Sequence, residues 1–160
     1  MLKMSIDKVK SYFSRFGMEN AIMELPISSA TVPEAAKALN CEEARIAKTL
    51  SLKLNDEAIL IVVAGDKKID NHKYKQTFGK KAAMLKADEV ERLTGHPIGG
   101  VCPFATREGL KIYLDESLKR FSTVFPACGS TNSAIELTVT DLEKYSQAAG
   151  WVDIGKDAVH

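Results

Sequence analysis

The chain has little that would staple, steer or anchor it. Cysteine is sparse, with Cys41, Cys102 and Cys128 the three in 160 residues. Their number is odd, their spacing is wide, and no C-x-x-C pair or Cys/His cluster at metal-ligand spacing occurs, which argues against a disulfide framework and a zinc site. No metal or other cofactor is expected. Free thiols point to a reducing, cytoplasmic setting. Charge of one sign is also lacking: 22 basic against 21 acidic residues leave a net +1, so no global field drives the chain onto a polyanion or a membrane. No apolar run approaches membrane-spanning length, and Met1 to Lys10 reads as amphipathic and charged rather than as a signal peptide. A Gly-rich phosphate loop followed by Lys and Ser/Thr is absent, which argues against nucleotide hydrolysis. A Ser-His-Asp elbow is absent too. Without repeats, low-complexity tracts or a linker, residues 1–160 read as one domain.

What is present alternates between helix and strand. Ser5 is a plausible N-cap, Ile6, Val9, Phe13 and Phe16 share a helical face, and Gly17 is a stop. Ala21–Leu25 reads as a short strand. Thr31 caps a second helix with Pro33 and Glu34 in its first turn and Asn40 at its end. Cys41–Glu43 starts a helical turn that passes into Ile46–Leu54. That strand forms a hairpin across Asn55–Glu57 with Ala58–Ala64, a run apolar enough to be buried on both faces. Gly65–Lys68 reads as a break, Ile69–Phe78 as a polar helix, Met84–Leu85 as a minimal strand and Ala87–Thr94 as a helix stopped by Gly95. Lys111–Leu114, Thr123–Ala127 and Ser133–Leu137 read as strands, Asp115–Leu118 as a turn of helix and Thr140–Ala148 as a last helix. Gly150–Ile154 closes the chain as an edge strand. This irregular interleaving predicts an α+β fold with a mixed, strongly bent, barrel-like sheet and surrounding helices.

The stretch Gly99-Gly100-Val101-Cys102-Pro103-Phe104 stands out. Adjacent glycines free the backbone and remove the Cβ atoms that would hold a ligand away, and Pro103 stiffens the chain beyond them. Amides of Gly99, Gly100 and Val101 are expected to be exposed and able to hold an oxyanion. Lys48, between small and apolar neighbours at the start of a strand, is either a surface lysine or a partly desolvated cation facing a ligand. Gly129-Ser130-Thr131-Asn132-Ser133 is either a turn or a polar loop that meets a ribose or an amino acid. Cys102 could be a nucleophile only with His72, His96 or His160 as its base, and nothing in the sequence places one there. Lys67, Lys68, Lys73, Lys75, Lys80 and Lys81 form the best candidate for a phosphate-contacting surface.

Three segments together resemble the YbaK/ProX-like family of aminoacyl-tRNA deacylases, which shares its fold with the editing insertion of bacterial prolyl-tRNA synthetases. They are Thr31-Val32-Pro33-Glu34-Ala35-Ala36, Ile46-Ala47-Lys48-Thr49-Leu50 and Gly65-Asp66-Lys67-Lys68-Ile69-Asp70. Glu89 to Phe104, Gly129 and Asn132 to Leu137 extend the likeness over almost all of the chain after the first helix. The resemblance implies hydrolysis, in trans, of the ester joining a wrong small amino acid such as Cys, Ala or Ser to a tRNA. It implies tRNA as partner and allows a synthetase as another. Carried over by position, Lys48 matches the lysine associated with activity, and Gly99, Gly100 and Val101 match the loop around the scissile carbonyl. Thr31 and Thr49, with Cys102, Pro103 and Phe104 of the loop and Gly129, Ser130 and Asn132, are the expected substrate contacts. Two positions depart from the family pattern: Cys102 holds a variable place, and Ala105 stands where glycine commonly follows the phenylalanine. Two other readings remain, a non-catalytic module that binds tRNA or a synthetase, and a hydrolase that uses Cys102.

Overall fold

A computed structural model of the chain describes residues 5–158. Met1 to Met4 of the amphipathic start, and His160 as a partner for Cys102, lie outside the described residues. Helix α1 (Ser5–Ser14) opens the fold and buries Ile6, Val9 and Phe13. After β1 (Met23–Glu24), Thr31 caps α2 (Val32–Leu39) by accepting the Glu34 amide, and Asn40 ends it in the left-handed region at φ 53°. Strands β2 (Ile46–Leu54) and β3 (Glu57–Ala64) form the expected hairpin, with Leu54 paired to Glu57 across a two-residue turn. Asn55 takes the positive φ (59°) that such a turn needs.

Next come β4 (Lys67–Ile69), α3 (Asn71–Phe78), α4 (Ala87–Thr94), β5 (Lys111–Asp115) and β6 (Thr123–Pro126). The chain closes with β7 (Ser133–Ala134), β8 (Leu137–Thr138), α5 (Val139–Ser146), β9 (Gly150–Val152) and β10 (Gly155–Asp157). Six strands form a strongly curled half-barrel in the order β8-β6-β2-β3-β5-β9, which mixes parallel and antiparallel neighbours. β3 is central, and Ile59 to Ala64 are all buried. One face carries Leu60 and Val62 into a core with Phe13, Phe104, Leu114 and Leu142; the other carries Ile59, Ile61 and Val63 against Tyr74 and Ile154. Among the described residues no helix is long and apolar enough to cross a membrane.

Three local expectations need correcting. Lys67–Ile69 is a strand and not a break, because it pairs with β10 near the end of the chain, a partner that no local pattern reveals. Ser133–Leu137 splits in two: Ser133 and Ala134 pair with β1, whereas Leu137 and Thr138 pair with β6. The last helix is capped by Thr138, which accepts the Asp141 amide, so Thr140 lies inside it.

Candidate active site

Strand β2 has an incomplete outer edge. β6 runs beside it only at Ile46 and Ala47. Further on, the segment before α4 takes over, with Lys53 donating to Ala83 and Leu85 donating to Ser51. Between these two partners, over Lys48 to Leu50, no strand among the described residues lies beside the outer edge. A cavity of about 230 Å³ occupies that gap. Val32, Ala35 and Leu39 of α2 form one wall, and Phe125, Ala127, Ser133 and Ala134 another. Lys48, Thr49 and Ser51 come from β2, Thr31 from the α2 cap, and Ile98, Gly99 and Val101 from the glycine loop.

Register explains the room. Ala47, Thr49 and Ser51 pair with Ala64, Val62 and Leu60, so they lie on the face that elsewhere carries the core. Small and polar side chains there leave space that leucine or valine would fill. Lys48 is half-buried, and its ammonium makes no hydrogen bond or ion pair among the described residues. Burial lowers its pKa from the usual lysine value, and the Asp66 charge offsets part of that. The Thr49 hydroxyl oxygen is sealed from solvent and has no hydrogen-bond partner among the described residues. An unpaired buried hydroxyl costs about 1–3 kcal/mol, so the fold carries an unsatisfied group in a residue that lines the cavity, though the oxygen itself is not exposed there.

The glycine loop has two functional halves. Gly100 donates to the Pro97 carbonyl at 3.0 Å, closing a turn in which Gly99 sits third at φ 83°, the conformation a type II turn requires there. The expected exposed amide at Gly100 is therefore already engaged. A Cβ on Gly100 would meet the Gly129 carbonyl carbon at 2.8 Å, so the second glycine serves backbone packing. The Gly99 and Val101 amides have no hydrogen-bond partner among the described residues.

The other half turns inward. Cys102, Pro103 and Phe104 are buried and do not line the cavity. The Phe104 ring meets Phe13 edge-on at 4.9 Å. Buried His96 contacts the Ser5 hydroxyl through Nδ1 and the Phe104 carbonyl through Nε2, at 2.6 Å for the latter. A carbonyl can only accept, so Nε2 carries the proton and Nδ1 accepts from Ser5. Burial is the main cause that lowers the His96 pKa, with Lys8 adding to it and the Phe104 hydrogen bond opposing it. The Cys102 sulfur is 3.5 Å from that protonated Nε2, which cannot take its proton, and burial pushes the thiol up to about 12. These facts argue against Cys102 as a nucleophile. After Phe104, Ala105 adopts φ 50°, so the alanine occupies a left-handed position that glycine would hold without strain.

Gly129, Ser130 and Asn132 also stay outside the cavity lining. Gly129 packs on Ser5, Ser130 donates to Ser133, and the Asn132 amide donates to the Leu25 carbonyl at 3.0 Å. They hold the β1 side of the site in place. Of the anticipated set, the cavity thus brings together Lys48, Thr31, Thr49, Gly99 and Val101. Sequence reasoning missed Ser51, although small or polar residues at every second place from Ala47 to Ser51 are a readable sign of a thinned core face; Ser133, of the expected polar loop, does line the cavity. No His, Asp, Glu or Cys is among the residues lining the cavity.

Residues 28–145 match the family model described as "Aminoacyl-tRNA editing domain". The uncharacterized protein YwhH of Bacillus subtilis is 53% identical over 155 residues, covering 96% of this chain and 99% of that one. A proline–tRNA ligase of Lactobacillus helveticus is 31% identical over 114 residues; the match spans 66% of this chain but only 19% of the ligase. A crystal structure provisionally described as a trans-editing enzyme for prolyl tRNA synthetase superposes with a TM-score of 0.85 at 30% identity, covering 98% of this chain and 99% of that one.

Proposed function

The chain belongs to the aminoacyl-tRNA editing domain family, and from that premise we propose that it hydrolyses, in trans, the ester of tRNA mischarged with a small amino acid such as cysteine, alanine or serine. The observation that carries the reading is the gap at the β2 edge, where Lys48, Thr49, Gly99 and Val101 line one cavity, and the Lys48 ammonium and the Gly99 and Val101 amides have no hydrogen-bond partner among the described residues. At about 230 Å³ the cavity suits one small side chain and its ester; sites for drug-sized ligands run roughly 300–1,000 Å³.

In this mechanism water adds to the ester carbonyl carbon. The carbonyl oxygen gains charge and is held by the Gly99 and Val101 amides, the type of donor whose removal costs about 10²–10³ in rate. The tetrahedral intermediate collapses, the carbon–oxygen bond to the terminal ribose breaks, and the ribose oxygen takes a proton. The cavity offers no carboxylate, imidazole or thiol as a base, so water or a substrate group carries the proton. The aminoacyl ester is activated by its own α-ammonium group, so positioning and oxyanion stabilisation suffice. Lys48, held partly out of water, binds the terminal phosphate or stabilises charge near the carbonyl.

The test is a deacylation screen over tRNAs mischarged with different amino acids. Wild type is expected to release a small amino acid, and Lys48→Ala to remain folded while losing about 10²–10³ in kcat/KM. Tight tRNA binding with no release from any substrate would instead favour the non-catalytic binding module.

A further inference from the structure

We propose that Lys68 and Lys156 form a two-pronged phosphate contact for the double-stranded acceptor arm of the tRNA, outside the cavity that takes its aminoacylated end. The inference rests on the reading of the substrate as a tRNA. It starts from an electrostatic oddity. In the β4–β10 ribbon Lys68 stands directly opposite Lys156, and both are exposed. Like charges at opposed positions destabilise a strand pair, and one acidic replacement would remove the repulsion. The next pair shows the ordinary solution, since Lys67 faces Asp157 and forms an ion pair with it. Neither the Lys68 nor the Lys156 ammonium makes a hydrogen bond or ion pair among the described residues, although Lys156 does lie in the field of Asp70.

Not every lysine in this part of the sequence is free in this way. Lys67 is engaged by Asp157, and Lys73 donates to Asp153 and to the Gly155 carbonyl at 3.1 and 2.9 Å. The basic stretch is therefore no uniform cationic face, and the ribbon singles out Lys68 together with Lys156, a residue far away in sequence.

Location adds a second reason. Gly65 packs so closely on α2 that a Cβ there would meet the Val32 side chain at 2.9 Å, and Val32 lines the cavity. Lys68 follows Gly65 by three residues, a span of at most ~10 Å of extended chain. Two cations so close to the cavity wall suit a polyanion whose end enters that cavity. A small anion would satisfy the charges equally well but would give no reason for their place beside the site.

The experiment compares wild type with Lys68→Gln, Lys156→Gln, the double variant and Lys68→Glu. Each is assayed on full-length mischarged tRNA and on a short single-stranded aminoacylated oligonucleotide ending in CCA, over a series of salt concentrations. The double variant is expected to raise KM for the full tRNA roughly tenfold and to flatten the log–log salt dependence by about one unit per lysine, with kcat and short-substrate activity unchanged. Lys68→Glu is expected to raise the melting temperature by giving Lys156 an opposed acid, while weakening binding of uncharged tRNA more than Lys68→Gln does. An unchanged KM and salt slope on full tRNA would overturn the proposal, as would equal losses on both substrates. If wild type hydrolyses no mischarged tRNA but the variants still lose uncharged-tRNA binding, the hydrolase reading falls and the contact stands. If wild type hydrolyses tRNA and the variants match it, the contact falls alone.

Discussion

The segment from His96 to Phe104 borders two regions of opposite character. On one side Ile98, Gly99 and Val101 line a cavity beside a half-buried lysine, and the Gly99 and Val101 amides have no hydrogen-bond partner among the described residues. On the other, His96, Cys102 and Phe104 sit in a packed core where the imidazole has a partner on each nitrogen. The residue types best known for nucleophilic and acid–base chemistry lie in the second region. Burial has disarmed them, by pushing the thiol up to about 12 and by holding the imidazole neutral. The plainer groups in the first region retain unused hydrogen-bonding capacity. Which groups are left free to meet a ligand here follows from burial and hydrogen-bond partners, not from residue type.

The contrast can be broken or sharpened by substitution. Phe104→Ala removes a fully buried ring that packs on Phe13 and should cost about 3–5 kcal/mol in denaturant unfolding. A cost under about 1 kcal/mol would mean that this side of the segment is not core. Gly100→Ala drives a Cβ into the backbone of Gly129 and should cost about 1–3 kcal/mol, with activity falling because the Gly99 turn shifts. Full stability and activity in that variant would return Gly100 to the role of a flexible, ligand-facing residue.

Acid offers a milder probe. The His96 pKa is lowered in the fold, so below about 6.5 the unfolded chain binds the proton more readily than the native one. Stability should therefore fall as pH drops from 6.5 through the lowered value, and it should be flat in this respect above 6.5. The melting temperature followed against pH should show that slope in wild type and a weaker one in His96→Asn. The smallest effect on stability belongs to Thr49→Val. It replaces an unpaired hydroxyl by a methyl of similar shape, so unfolding should be unchanged or up to about 1 kcal/mol more costly, with little change in deacylation because the hydroxyl is not exposed to the cavity. A loss of stability would show that the hydroxyl has a structural partner after all.

Much of this architecture was legible because its signals are local. Alternation and an Asn-Asp turn mark the β2–β3 hairpin, and the Thr31 cap with Pro33 marks α2. Lys48 and the glycine pair drew notice for their neighbours alone. What escaped depended on distant partners. Lys67–Ile69 becomes a strand only beside Gly155–Asp157, and Ser133–Thr138 divides because its two ends face different strands. The glycine loop reads in sequence as three exposed amides, yet the Gly100 amide closes a turn, and Cys102, Pro103 and Phe104 are buried.

By itself, then, the sequence determined most of the elements, since hydrophobic period, caps and turns act within a few residues of chain, and its motifs carried the resemblance to the family. The tertiary structure decided which chemistry stays available. Whether a thiol, an imidazole, a lysine or an amide is free depends on burial and on hydrogen-bond partners, which residues far apart in the chain supply only once the sheet has curled and left one strand edge open.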